Sequence, residues 1–245
     1  MKGAFIKFVP NLLSLLNAAF GVLAIYLISQ GIDHLPLAIT VLLFGSIPCD
    51  MLDGFAARKL DAKSEIGVDL DSLSDVISFA VAPAMILAHA LSAAGSALPV
   101  LALLVVPFSV YRLAKFNHDT RQTESFLGLP TPANALFLCG FATAIAEADT
   151  VVVPDWFTAF LILWLCYLLV SERPMFGVKT FGRWKPVLKG LLVVCVVLSI
   201  TALFLWGYKV LALIVLAYIV INWGYESYVK EVSKDAIKVR EGGHA

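Results

Sequence analysis

Eight runs of about 20 mostly apolar residues constrain this chain most, because each is long enough to cross a bilayer as a helix. The predicted helices cover residues 11–30, 35–58, 66–92, 97–116, 131–147, 153–171, 187–206 and 208–225, each within a few residues. Only 15% of the residues are charged and 60% are hydrophobic, whereas soluble domains carry about 25% charge. The sequence predicts an all-α, polytopic membrane protein, with about eight transmembrane helices in one domain over residues 1–245.

The distribution of lysine and arginine predicts the orientation. With eight helices both termini share one side of the membrane, and that side also receives the loops at 58–65, 112–130 and 172–189. It holds 17 of the 18 basic residues, Lys209 being the exception. We therefore expect an integral protein of the cytoplasmic membrane with cytoplasmic termini, including a C-terminal tail at about 227–245. The net charge is zero, which gives no indication of a nucleic-acid partner.

The segment 49–75 is unusual because it places seven acidic residues in an otherwise apolar chain. Asp50 and Asp53 are spaced i,i+3 near the end of the second predicted helix, so they share a face. Asp71 and Asp75 are spaced i,i+4 at the start of the third and share a face there. A helical hairpin brings the two faces together. Three more acids fall off these faces and are expected to be solvated or to support the helix start: Asp61, Glu65 and Asp69.

Four neighbouring carboxylates in a partly dehydrated region need a counter-charge, since a single Asp costs about 2.5–3.5 kcal/mol at the bilayer centre. Oxygen-only ligation suits hard divalent cations such as Mg²⁺, Mn²⁺ or Ca²⁺. Two such ions can stabilise the attacking and leaving oxygens of a phosphoryl displacement. Gly54 and Gly67 lie on the carboxylate-bearing faces and leave room for a bulky ligand. Arg58 offers a planar donor fork suited to phosphate.

The stretches "DMLDGFAAR" and "GVDLDSLSD" resemble the signature of the CDP-alcohol phosphotransferases. Its order is D, two residues, DG, two residues, AR, eight residues, G, three residues, D, three residues, D. Every fixed position is filled, by Asp50, Asp53, Gly54, Ala57, Arg58, Gly67, Asp71 and Asp75. The resemblance implies two metals, Mg²⁺ or Mn²⁺, held by the four aspartates, with Asp75 also acting as general base. It implies that the CDP-lipid is bound by Gly54, Ala57, Arg58 and Gly67, and that the protein is a homodimer.

Three further stretches resemble the phosphatidylserine synthase branch of that family: "VPNLLSLLNAAFGVLAI", "LDSLSDVISFAVAPA" and "YRLAKFNHDTRQTESFLGLPTPANA". This implies CDP-diacylglycerol as donor and L-serine as acceptor, with transfer of the phosphatidyl group and release of CMP. Arg112, Lys115 and Arg121 are candidate contacts for the serine carboxylate or the lipid phosphate. They could equally serve only to set topology and to contact anionic headgroups. Ser14 and Asn17 could contact the nucleotide or bond a neighbouring helix, and packing is favoured.

Two other functions remain open at this point. The acceptor alcohol could instead be glycerol 3-phosphate, inositol phosphate or an amino alcohol. A divalent-cation transporter would also place acidic residues within the membrane. However, the four acids lie in one hairpin at one membrane face, beside an arginine that would repel a passing cation, which favours the transferase.

Overall fold

A computed structural model describes residues 2–62, 64–118, 126–148, 153–175 and 198–223. The helices are α1 (Lys2–Ser29), α2 (Ile32–Lys59), α3 (Glu65–Ala93), α4 (Pro99–His118), α5 (Thr131–Ala146), α6 (Asp155–Val170), α7 (198–206) and α8 (Val210–Trp223). The bounds of α2 to α6 and of α8 agree with the predicted apolar runs to within three residues, whereas α1 begins at Lys2, nine residues before its predicted run. The first part of the seventh run and the tail at 227–245 lie outside the described residues.

Four of these helices are long and apolar enough to cross a membrane: Phe8–Ser29 within α1, then α2, α3 and α4. Three shorter apolar helices, α5, α6 and α8, and the described part of α7 make up the rest of the described bundle. The chain is therefore a mostly helical integral membrane protein, while the count of eight crossings stays a prediction. One element departs from the all-α expectation: β1 (Phe126–Leu127) pairs antiparallel with β2 (Pro174–Met175) beyond the ends of α4 and α6.

The first three helices form the unit that positions the acidic residues. α1 packs along both arms of the hairpin made by α2 and α3. Gly21 permits the closest approach, because a Cβ there would lie 2.5 Å from Ser78 Oγ and 2.9 Å from Ser78 Cα. Ser64 caps the start of α3 by accepting a hydrogen bond of 3.0 Å from the Gly67 amide. The C-terminal part of α3 then packs against α5, and α4 packs against α6.

Both arms of the hairpin contain a π-helical turn beside the acidic residues, at Leu42–Ser46 in α2 and Val76–Val81 in α3. Each turn lies just before a proline, Pro48 or Pro83. A proline within a helix has no N–H for the carbonyl four residues earlier, and its ring crowds that carbonyl. A wider turn relieves this conflict, and such turns often lie at functional sites.

Candidate active site

The hairpin brings the signature carboxylates together. Asp50, Asp53 and Asp71 each offer a carboxylate oxygen, and the three oxygens lie within 4.8 Å of one another. Asp53 and Asp75 are buried, whereas Asp50 and Asp71 are half-buried. Asp75 interacts electrostatically with the other three carboxylates. The structure thus assembles the four-aspartate cluster that the helical spacing predicts.

Helix α1 supplies a polar support for two of these carboxylates. Ser14 Oγ donates a hydrogen bond of 2.6 Å to Asp53 Oδ2, and Asn17 Nδ2 donates one of 3.2 Å to Asp75 Oδ1. Ser14 and Asn17 are spaced i,i+3, so both point from one face of α1 toward the hairpin. Hydrogen bonds of this kind orient carboxylate ligands and restrict their rotation.

The backbone at Asn17 also joins the three helices. Its carbonyl oxygen accepts hydrogen bonds from Ser46 Oγ of α2 at 3.2 Å and from Ser78 Oγ of α3 at 2.7 Å. Asn17 itself is fully buried. One residue of α1 therefore contacts both arms of the hairpin as well as Asp75. The favoured prediction for Ser14 and Asn17, bonding to a neighbouring helix, is confirmed, while the identity of their partners as the aspartates was not predicted.

The other signature residues lie around the cluster. A Cβ at Gly54 would meet Arg58 Nη1 at 3.4 Å, so the glycine leaves the space beside this guanidinium open. A Cβ at Gly67 would lie 3.2 Å from Asn11 Oδ1 of α1. Ala57 accepts a backbone hydrogen bond from Ala62 where α2 ends. Arg58 is exposed in the last turn of α2.

The three basic residues proposed to contact serine or phosphate have different positions. Arg112 is buried, lies within electrostatic range of Asp75, and donates from Nη1 to Thr131 Oγ1 at 2.8 Å. Lys115 Nζ forms an ion pair of 2.8 Å with Glu172. Arg121 lies outside the described residues. A cleft lined by Arg112, Lys115 and Phe116 separates α4 from residues 169–171.

The donor set fits a hard divalent cation. Three carboxylates converge within the reach of a single ion, and hard cations prefer oxygen ligands. Ser14 leaves Asp53 Oδ1 available for coordination, since its bond occupies Oδ2. Asp61, Glu65 and Asp69 are exposed, as expected for solvated residues. The arrangement is able to bind a divalent cation between the two arms of the hairpin.

Together, the helical bundle and the aspartate hairpin define a membrane protein with a candidate site for divalent cations between two of its helices. The chain belongs to the CDP-alcohol phosphatidyltransferase family, whose model matches residues 7–171.

Curated relatives extend the similarity beyond the signature. The CDP-diacylglycerol–serine O-phosphatidyltransferase of Mycobacterium tuberculosis is 29% identical over 228 residues, covering 89% of this chain and 77% of its own. The enzyme of the same name from Bacillus subtilis is 34% identical over 130 residues, covering 51% of this chain and 70% of its own. The archaetidylserine synthase of Methanothermobacter thermautotrophicus is 37% identical over 147 residues, 57% of this chain and 61% of its own.

Proposed function

We propose that this protein transfers the phosphatidyl group of CDP-diacylglycerol to the hydroxyl of L-serine, giving phosphatidylserine and CMP. The carboxylate cluster of Asp50, Asp53 and Asp71, beside the buried Asp75, is the observation that carries the proposal. The names of the relatives from M. tuberculosis and B. subtilis support serine as the acceptor.

In the proposed reaction Asp75 accepts the proton of the serine hydroxyl. The resulting oxygen attacks the phosphorus that carries the diacylglycerol, the bond between that phosphorus and the bridging oxygen breaks, and CMP leaves with the electron pair. Asn17 orients Asp75 for this role by donating a hydrogen bond to its Oδ1. Two divalent cations, Mg²⁺ or Mn²⁺, held by Asp50, Asp53, Asp71 and Asp75 would neutralise the diphosphate charge.

The remaining signature residues would hold the donor. Arg58 provides a guanidinium for a phosphate oxygen, and Gly54 leaves the space in front of it free. Ala57 on α2 and Gly67 on α3 have the smallest side chains, so the cytidine can lie between the hairpin arms. Arg112, Lys115 and Arg121 would attract the serine carboxylate or the lipid phosphate. We further propose a homodimer in the cytoplasmic membrane, with the site facing the cytoplasm.

The test is turnover of purified protein in detergent with CDP-diacylglycerol and radiolabelled L-serine, with Mg²⁺ or Mn²⁺ and with EDTA. We expect label in lipid and release of CMP, both abolished by EDTA. Asp75→Asn should reduce turnover at least 100-fold, since general bases contribute about 10²–10⁴. Asp69→Asn is the matched control, because Asp69 is an exposed aspartate in the same helix.

Each other outcome would contradict a defined part of the proposal. Transfer to glycerol 3-phosphate or inositol phosphate but not to serine would overturn the acceptor and keep the site. Transfer only from a CDP-activated ether lipid would overturn the diacyl donor. This donor is worth testing because one relative is named archaetidylserine synthase. A lack of transfer to every alcohol would reject the transferase.

A further inference from the structure

Four buried polar side chains lie on α4 and α5, the two helices that pack against the turn Val76–Val81 of α3. Ser109 and Arg112 lie one turn apart on α4, and Thr131 and Asn134 lie one turn apart on α5. All four are at least nine-tenths buried: Ser109, Thr131 and Asn134 are 0% exposed and Arg112 is 7% exposed. The hydrogen bond from Arg112 Nη1 to Thr131 Oγ1 joins the two pairs.

The hydrogen-bonding capacity of this group is incompletely used. Arg112 Nε, Ser109 Oγ and both Asn134 side-chain atoms are buried with no protein partner. A buried polar group without a partner is destabilising, and native structures contain few of them. The four unpartnered atoms on Ser109, Arg112 and Asn134 therefore leave donors and acceptors available to a polar ligand.

The position of this polar group relative to Asp75 indicates which ligand it binds. The turn Val76–Val81 directly follows Asp75 and packs against both α4 and α5. Arg112 lies within electrostatic range of Asp75 and also lines the cleft beside residues 169–171. Since α4 ends and α5 begins on the same side of the bundle, Ser109 and Asn134 both lie one turn deeper than the Arg112–Thr131 bond.

We propose that Asn134 and Ser109, together with Arg112, form the pocket that selects a zwitterionic amino acid as the acceptor. The inference rests on the proposed transfer to serine and assigns residues to that choice. Arg112 Nε and the Asn134 amide nitrogen donate to the carboxylate of the acceptor. The Asn134 amide oxygen and Ser109 Oγ accept from its ammonium group, and its hydroxyl is then directed toward Asp75. Thr131 is a positioning residue, because it fixes the guanidinium of Arg112.

The pocket explains discrimination by charge as well as by size. An acceptor without the carboxylate leaves the Arg112 Nε and the asparagine nitrogen unpaired. An acceptor without the ammonium group leaves two buried oxygens unpaired. Sites with buried polar groups reject analogues that cannot pair with them far more strongly than apolar pockets reject a missing methylene.

The test is steady-state kinetics with both substrates varied, for Asn134→Ala and Ser109→Ala. We expect the KM for L-serine to rise about tenfold or more, the loss typical of one hydrogen bond to a charged group. The KM for CDP-diacylglycerol should stay within about twofold. Thr143→Val is the matched control on α5, because the Thr143 hydroxyl bonds the Cys139 carbonyl of its own helix. Ser109→Ala introduces alanine, a good helix former. This variant therefore tests the pocket if Asn134→Ala does not fold.

A second readout separates recognition from folding. Asn134→Asp keeps an acceptor for the ammonium group but places a negative charge near the carboxylate of serine. We expect it to weaken the binding of L-serine more than the binding of ethanolamine, a competitor that lacks the carboxylate, so the ratio of the serine KM to the ethanolamine inhibition constant should change. An unchanged KM for serine in both alanine variants, with the wild type active on serine, would overturn this pocket alone. A wild type that does not use serine would instead overturn the proposed function.

Discussion

Two polar residues of α1, Ser14 and Asn17, hold carboxylates of the hairpin by hydrogen bonds across the helix packing. The i,i+3 and i,i+4 spacings of the aspartates suffice to predict their convergence, because spacing within a helix is a local property. The supporting bonds from α1 could not be predicted in this way. Ser14 and Asp53 are 39 residues apart and Asn17 and Asp75 are 58 apart, so their contact depends on how three helices pack. Asn134 could not be predicted as a site residue either, because it lies in an apolar helix without a periodic pattern of polar residues.

The bond from Ser14 to Asp53 leads to a prediction about metal affinity. Ser14→Ala should weaken Mn²⁺ binding by about 10-fold, at the lower end of the effects of removing a partner of a ligand. The measurement is titration of the purified protein by isothermal calorimetry, which requires no turnover. Ser29→Ala is the control, since Ser29 lies on the same helix and its hydroxyl bonds the Tyr26 carbonyl. Equal affinities in the two variants would contradict the supporting role of Ser14.

The bond from Asn17 to Asp75 leads to a prediction about rate. Asn17→Leu keeps a similar volume and removes the amide donor, so Asp75 loses its fixed orientation. We expect kcat to fall about tenfold with the KM for CDP-diacylglycerol nearly unchanged, because misplacing a reacting group reduces rate more than binding. The measurement is initial-rate kinetics at saturating metal. A variant whose KM rises while kcat is unchanged would assign Asn17 to donor binding instead.

At the scale of elements, the approach of α1 to α3 determines whether these bonds form. The apolar pattern predicts both helices but not their separation, which depends on a glycine facing a serine in another helix. Gly21 fills this role, since a Cβ there would contact both the side chain and the backbone of Ser78. Gly140 acts similarly between α5 and α8, where a Cβ would contact the backbone nitrogen of Ala212.

Gly21→Ala should therefore separate α1 from α3. We expect a loss of about 1–3 kcal/mol in stability, the usual cost of overpacking, together with a large loss of activity because Asn17 lies one turn away. Thermal unfolding in detergent, followed alongside turnover, checks both effects. Ala19→Leu adds more volume on the exposed side of the same helix and should change neither. A fully stable and active Gly21→Ala protein would show that the helices tolerate a wider spacing.

At the scale of the whole molecule, composition and charge asymmetry predict a helical membrane protein and its orientation. The helical bundle is confirmed, whereas the orientation stays a prediction because it depends on the membrane and not on internal packing. The short pairing of β1 with β2 was not predicted, because two residues per strand leave no alternating pattern.

Cysteine labelling in intact cells tests the orientation. With the four native cysteines replaced, a single cysteine at Asp61 should react with a membrane-impermeant maleimide only after permeabilisation. A cysteine at Ala94 should react in intact cells, because Ala94 is exposed just beyond the opposite end of α3. The reverse pattern would place the aspartates outside the cell and reject a cytoplasmic site.

The π turns before Pro48 and Pro83 have a consequence for how the chain tolerates changes in length. A π turn contains one residue more than an α-helical turn, and each residue of an α-helix advances by about 100° around the axis. Deleting one residue from Val76–Val81 would therefore rotate Asp71 and Asp75 away from the opposite arm, while the rest of α3 stays fixed against α5. Apart from Gly45 and the two serines that bond the Asn17 carbonyl, Ser46 and Ser78, the number of residues in these segments matters more than their identity. Apolar substitutions at the other positions will be accepted where a single deletion disperses the carboxylates.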